Sequence, residues 1–450
     1  MFYLMLTAFF GLFASLACKN IFWGIYLVCA LLPSYLIRFS IFGLPSTLLE
    51  GMVVILFVIW LIKEKINFNP LIWLKNLKQI KNQNLKNNPL PKSLRLPIIL
   101  LLTAATISVF AAPDLRASAG IWKAYFIEPL MFLLILAYSL KTIEQIKKII
   151  TALSLAVLAI GILAVIQKIT GVLIPNPFWA EAATRRITGL FPHPNDVGLF
   201  VGPIIFLIIG NLLIAEKNLW RIYYALVLTL GILSLIWTGS TGALTALTAG
   251  LVVLLLIYKK TRLPVLLLGL LLSLFLIFTP AVQNKISYTL YLAQQTKLPL
   301  VPIDWQMRAQ IARESLNMLK DRPLLGAGLA GYQTLVAPYH LNKHIELYPY
   351  PHNFFLNFWS ETGLLGLMAI IWLLIVFFQL SFKICKSGNK ILTASLISAM
   401  ISLLVHGLVD HPYFKNDLAV LFWIIIGLMI VLYNIRWGGR VVEGAALEKQ

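Results

Sequence analysis

Almost uncharged apolar blocks, each about as long as a helix that crosses a bilayer, recur along the whole chain and decide its fold class. They cover residues 2–17, 21–37, 44–62, 96–112, 118–139, 149–166, 196–215, 222–237, 241–258, 263–279, 353–379, 391–408 and 417–434. A helix needs roughly 20 apolar residues to traverse a hydrocarbon core of about 30 Å. At 60% hydrophobic and 12% charged residues, the chain has too few polar groups for the surface of a water-soluble enzyme of its length. The expected fold is an all-α, polytopic integral membrane protein with twelve or thirteen transmembrane helices. The count turns on the first two blocks, which are short and separated only by Cys18, Lys19 and Asn20.

A net charge of +20, from 37 Lys and Arg against 17 Asp and Glu, would suit a nucleic-acid binder if it formed a patch. Much of the excess instead sits between apolar blocks, so no nucleic-acid partner is expected and the charges read as topology determinants. The linker 63–95 carries Lys63, Lys65, Lys75, Lys78, Lys81, Lys86, Lys92 and Arg95 against the single acid Glu64, which makes it cytoplasmic. Alternation then puts Lys141/Lys147/Lys148, Lys217/Arg221, Lys259/Lys260/Arg262, Lys383/Lys386/Lys390 and Arg436/Arg440 on the same side. The resulting organisation is N-terminal spans over 1–62, a cytoplasmic linker over 63–95 and a central bundle over 96–279 with an outer loop at 167–195. A long extracytoplasmic loop with short helices follows over 280–352, then C-terminal spans over 353–435 and a cytoplasmic tail over 436–450. In the long loop, Asp304 is placed to cap a helix ending before Pro323, with Trp305, Arg308, Ala312, Ser315 and Leu319 on one face. Cys18, Cys29 and Cys385 form neither a disulfide framework nor a metal-ligand pattern. The first block lacks a basic leader and a small-residue cleavage site, and is expected to be retained as a span or half-span.

All six histidines fall on or near the outer side of this topology, although none was used to set it. Arg185 and Arg186 stand together in the first outer loop, eight and seven residues before His193, with Asn195 close behind. Short outer loops tend to avoid arginine, so the pair calls for an anionic partner: a phosphate, a lipid headgroup or a carboxylate of the other loop. His352 and Asn353 lie where the long loop enters a span, and Glu361 lies nine residues on, about 13 Å deeper along a helix. A histidine at that boundary suits a general base, and a carboxylate in an apolar span is costly enough to suggest function; an interfacial cap plus a buried ion pair is the structural alternative. Glu50, Lys123 and Glu128 are the other intramembrane charges, and Lys123 can neutralise a carboxylate. His406 and Asp410, spaced i,i+4, can meet on one helix face and tune a base.

Two apparent motifs are discounted. Gly326-Ala-Gly328-Leu-Ala-Gly331 has the dinucleotide-loop spacing but no strand–helix unit around it, so a tight turn or close backbone approach is expected. His340 and His344 have helical zinc spacing without an intervening glutamate after the first histidine or a clear third ligand, and no metal is expected.

The order Arg186-x-x-Gly189-x-x-x-His193-Pro194-Asn195, then Arg308, then Pro323-Leu-Leu-Gly326-x-Gly328-x-x-x-Tyr332, then His352-Asn353-x-x-Leu356-x-x-x-x-Glu361-x-Gly363-x-x-Gly366, resembles the bacterial O-antigen ligase and polymerase superfamily. The likeness covers roughly residues 180–430, the first half matching only in hydropathy. It implies a GT-C-like membrane glycosyltransferase of the bacterial inner membrane, active on the extracytoplasmic face and metal-independent, with no cofactor. The implied donor is a glycan on undecaprenyl diphosphate; the implied acceptor is a hydroxyl of a lipid, glycan or protein, as in lipopolysaccharide assembly. By position, Arg186 and Arg308 would hold the diphosphate with help from Arg185. His352 would activate the acceptor with Glu361 as the other catalytic candidate, and His193, Asn195, Asn353, His406 and Asp410 would support them. One segment departs from the pattern: many members carry an arginine after the serine where this chain reads Thr238-Gly239-Ser240-Thr241-Gly242. Its role would be lost or shifted to another residue, and the expected acceptor or glycan differs from that of the better-known ligases. The alternatives left open are a polymerase that joins carrier-linked repeat units and a lipid-linked glycan transporter. The latter would call for repeat symmetry and polar groups through both leaflets.

Overall fold

The computed structural model describes residues 1–41, 43–64, 89–258, 283, 287, 303–340, 346–388 and 390–447. The helices are α1 (Phe2–Lys19), α2 (Ile21–Ala30), α3 (Leu48–Lys63), α4 (Lys92–Ala111), α5 (Leu115–Ser139), α6 (Ile143–Thr170), α7 (Pro194–Ile214), α8 (Asn218–Trp237) and α9 (Thr241–Ile257). They continue with α10 (Ile303–Asp321), α11 (Phe354–Ser387), α12 (Lys390–Gly407) and α13 (Asn416–Leu447). Among the described residues, nine helices are long and apolar enough to cross a membrane, and α2 and α9 are shorter apolar helices. The protein is thus a polytopic all-α membrane protein. The expected span at 263–279, most of the linker 63–95, the first part of the long loop, His344 and the last three residues lie outside the described residues.

The structure corrects the start of the chain. The block 21–37 is not one helix: α2 stops at Ala30, a 3-10 segment follows over Leu32–Leu36, and β1 (Arg38–Ile41) pairs antiparallel with β2 (Leu44–Thr47) before α3 begins. Pro33, without an N–H, cannot continue the helix. Ten helical residues rise about 15 Å and five 3-10 residues about 10 Å, so this block can cross only as a two-part segment. The block at 44–62 likewise becomes helical only at Leu48, where Thr47 accepts a cap hydrogen bond from the Glu50 N–H.

α7 and α13 form the centre of the bundle and are the most enclosed of the candidate spans. α12 lies against α7 and α9, and α4 against α11. Serines on α12 face glycines on α7; a Cβ at Gly210 would come within 2.5 Å of Ser395 Oγ, so the backbones approach as small residues permit in membranes. The intramembrane charges are paired: Lys123 Nζ lies 2.8 Å from Glu50 and 3.8 Å from Glu128, and Asn416 donates to Glu50. This is the structural pairing that Lys123 made possible.

α11 is broken after two and a half turns. Gly363 has φ +67°, and a Cβ there would lie 2.2 Å from the Leu324 carbonyl oxygen. The turn after α10 inserts at this break: the Leu364 N–H donates to Leu324, Ala327 N–H to the Ser360 carbonyl, and Trp359 Nε1 to the Pro323 carbonyl. The glycine-rich 326–331 segment is therefore a close backbone approach, as expected. Gly363→Ala should lower stability by about 2 kcal/mol or more through left-handed strain plus the clash, read as a fall in the thermal unfolding midpoint in detergent; an unchanged midpoint would contradict this account.

α6 relates the two ends of the bundle. Its 28 residues, about 42 Å long, start at a Thr142–Gln145 capping box beside Lys147 and Lys148 and end at Thr170, with Gln167 in the last turn beneath the segment that carries Arg186.

Candidate active site

A pocket of about 530 Å³ opens at the Gln167 end of the bundle. Arg186, His193 and Asn195 enter it from the loop before α7, Gly239, Ser240 and Thr241 from the α8–α9 turn, and Arg308 from α10. His352 comes from the start of α11, and Asp410 and His411 from the α12–α13 loop.

The Arg186 strand is held from below. Gln167, fully buried, donates from Nε2 to the Gly189 and Leu173 carbonyls and accepts at Oε1 from the Thr188 and Gly189 N–H groups. Gln167→Ala would leave these buried groups unmatched and should cost about 2 kcal/mol of stability, with a matching drop in the unfolding midpoint; no drop would mean that the loop is held elsewhere. On this base the Arg186 side chain donates from Nε to the Thr238 carbonyl (2.6 Å) and from Nη2 to Asn195 Oδ1 (3.2 Å), and its guanidinium lies 4.7 Å from the Trp179 ring centroid. Gly239 has φ +61°, and a Cβ there would stand 3.3 Å from Arg186 Nε. The Thr-Gly-Ser-Thr turn that departs from the family pattern thus packs on Arg186, with Ser240 Oγ capping α9.

Arg308 makes no ion pair among the described residues, and it faces the pocket from an amphipathic helix whose Ser315 and Leu319 are buried. Asn353 caps α11 by accepting from the Phe355 and Leu356 N–H groups, which fixes the entry of the helix and leaves His352 before it at φ +48°. That left-handed conformation is strained for a non-glycine residue and is characteristic of functional positions. The His352 ring meets Tyr348 and Tyr350 edge-on at 4.9 and 4.8 Å, and its Nδ1 lies 3.5 Å from Asp410 Oδ1. Asp410 also receives the His411 Nδ1 (2.7 Å) and Asn195 Nδ2 (3.3 Å). Burial alone would push the Asp410 carboxyl up, but the His352 and His411 imidazoles override it and hold the group well below the usual carboxylate range. At 3.5 Å the buried His352 Nδ1 makes no hydrogen bond, but a carboxylate on that side favours the tautomer protonated at Nδ1, whose Nε2 is free to accept a proton.

A second buried pair stands behind the pocket. Lys415 Nζ lies 3.0 Å from Asp196 Oδ2 and over the Phe191 ring. Burial would lower the ammonium's pKa, but Asp417 and Asp196 hold it above the ordinary value. The Asp196 charge is thereby balanced, and the other charged groups lining the pocket are Arg186 and Arg308 against Asp410 and Glu346.

Of the expected site residues, the pocket brings together Arg186, Arg308, His352, His193, Asn195 and Asp410. Four lie elsewhere. Arg185 donates to the Lys168, Ile169 and Ala180 carbonyls and so caps the end of α6; it does not line the pocket. Glu361 is buried in α11 and accepts the Ala330 N–H at 2.6 Å, so it anchors the glycine-rich turn and does not face His352 across the pocket. His406 is packed between α7 and α9, where Cβ atoms at Gly198 and Gly242 would come within 2.9 Å of its ring, and Asn353 is a helix cap. His411, Tyr348, Tyr350 and Trp179 are site residues that the sequence reading did not single out, although the run Tyr348-Pro-Tyr350-Pro before His352 and the adjacency of His411 to Asp410 mark them. His340, the described member of the discounted zinc pair, bonds to Glu314 at 3.0 Å. The one three-residue group of metal-ligand geometry among the described residues is His352, Asp410 and His411, whose ligand atoms lie within 4.8 Å of one another.

A family model described as O-antigen ligase matches residues 225–371. The match takes in the Thr238–Thr241 turn, Arg308 and His352, but not Arg186, Asn195 or Asp410. A search of curated proteins finds no match.

Proposed function

We propose that the chain is a member of the O-antigen ligase superfamily and that its pocket transfers a glycan from an undecaprenyl-diphosphate carrier to an acceptor hydroxyl on the extracytoplasmic face of the inner membrane. The observation that carries the reading is the meeting, in one pocket, of two guanidinium groups and a histidine backed by a carboxylate. The orientation rests on the basic segments at the other end of the bundle, which the positive-inside rule assigns to the cytoplasm.

The step balances as a substitution at the anomeric carbon. His352 Nε2 takes the acceptor hydroxyl proton as the acceptor oxygen bonds to that carbon. The bond from the anomeric carbon to the diphosphate oxygen breaks, and its electron pair leaves with the lipid diphosphate. Arg186 and Arg308 stabilise the charge that develops there, a contribution larger in a partly dehydrated site than in water. Arg186 is held by Thr238, Asn195 and Trp179, so its orientation is set before substrate arrives.

The test is the product pattern of the purified protein in liposomes that contain a carrier-linked oligosaccharide, with and without an acceptor lipid. A single acceptor-dependent shift supports the ligase reading. A ladder formed without acceptor means a polymerase, and intact substrate moved across the bilayer would overturn the glycosyltransferase reading.

A further inference from the structure

A second polar cavity, of about 740 Å³, lies at the opposite end of the bundle, between α2, the start of α6 and the α7–α8 turn. It is lined by three lysines, Lys147, Lys148 and Lys217, and two glutamates, Glu144 and Glu216, so its charged lining is net basic. Lys147 is paired with Glu144 at 2.6 Å; among the described residues, Lys148 and Lys217 make no ion pair. Trp23 and Trp220 stand in its wall, as aromatics do at the level of lipid headgroups, and Leu155 and Ile214 continue it with apolar surface.

Asn211 also lines the cavity and is 2% exposed. Its Nδ2 donates to the Lys147 carbonyl (2.9 Å) and to Tyr224 Oη (3.2 Å), while its Oδ1 has no hydrogen-bond partner. A buried carbonyl oxygen in this state calls for a donor from a ligand. Lysines select a phosphate, the unmatched Asn211 oxygen selects a group bearing O–H or N–H, and the apolar wall selects an acyl chain. We infer that this cavity binds an anionic phospholipid with a hydroxyl-bearing headgroup, of the phosphatidylglycerol kind, from the leaflet that the basic segments face.

The test uses the full-length protein, delipidated in detergent, and native mass spectrometry with phosphatidylglycerol, phosphatidylethanolamine and phosphatidylcholine in competition. One phosphatidylglycerol should be retained in preference to the other two. The Lys148→Gln/Lys217→Gln variant should bind it about tenfold more weakly or worse, while Lys148→Arg/Lys217→Arg retains it. Equal retention of all three lipids by the wild type overturns the proposal without recourse to any variant, as does unchanged binding by the glutamine pair. Displacement of the lipid by millimolar inorganic phosphate would also overturn it, showing a free-phosphate site.

Discussion

Arg186→Ala and Arg308→Ala should each reduce glycan transfer by about 10²- to 10³-fold or more while leaving folded protein in the membrane, the scale expected when one preorganised group that stabilises developing charge is removed. The two arginines differ in how their charge is held, so lysine replacements should separate them. Arg186 spends Nε on the Thr238 carbonyl and Nη2 on Asn195 and lies over Trp179, a planar set of contacts that a single ammonium cannot reproduce. Arg186→Lys should therefore behave nearly as the alanine variant. Arg308 makes no ion pair among the described residues, and Arg308→Lys should keep part of the activity because the charge remains. Arg185→Ala supplies the contrast: it removes the cap on α6 and should lower stability, with activity per folded molecule much closer to wild type. The readout is transfer in liposomes normalised to monodisperse protein. Near-normal activity in both Arg186→Ala and Arg308→Ala would sink the assignment of the diphosphate site.

That contrast shows where sequence reasoning reached its limit. Two adjacent arginines in an outer loop announce an anion site or a structural clasp, and neighbours in a loop generally point apart, so at most one was free to do each. Which one does so depends on Gln167, a residue in an apolar span whose neighbours give no hint of its five hydrogen bonds. Glu361 lies outside the pocket for a related reason. A carboxylate in an apolar helix has to be compensated, but the compensation need not be catalytic; here a main-chain N–H from a turn some thirty residues earlier supplies it, at a break in α11 that Gly363 alone allows. The helices themselves were legible because a bilayer leaves the backbone few alternatives. Even there, the block at 21–37 looked continuous because hydropathy does not register that Pro33 ends a helix. His352, Asn195 and Asp410 lie far apart in sequence; the resemblance grouped them as candidates, and the fold brings them into one pocket.

The second large effect should come from the histidine–aspartate pair. His352→Ala removes the base and should lower kcat by about 10²- to 10⁴-fold with little change in KM, because the group acts on the acceptor proton in the transition state and does not hold the diphosphate. Asp410→Asn keeps the shape but should cost much of the same factor: an amide can donate to His352 Nδ1 and so stabilise the tautomer whose Nε2 already carries a proton. The same substitution has a signature in stability that a merely structural aspartate would not give. Because the folded protein holds the Asp410 carboxyl well below the ordinary value of about 3.9, its contribution is fully present above that pH and is lost as pH falls through the lower folded value. In Asp410→Asn this acid-side loss should disappear, so the wild-type and variant unfolding midpoints, separated at neutral pH, should converge as the medium becomes strongly acidic. Midpoints that stay parallel across the titration would mean that the carboxylate charge contributes nothing to the fold, and the tautomer argument for His352 would lose its support. Activity that survives His352→Ala would remove this histidine from the reaction altogether and leave the arginines as the pocket's only supported contribution.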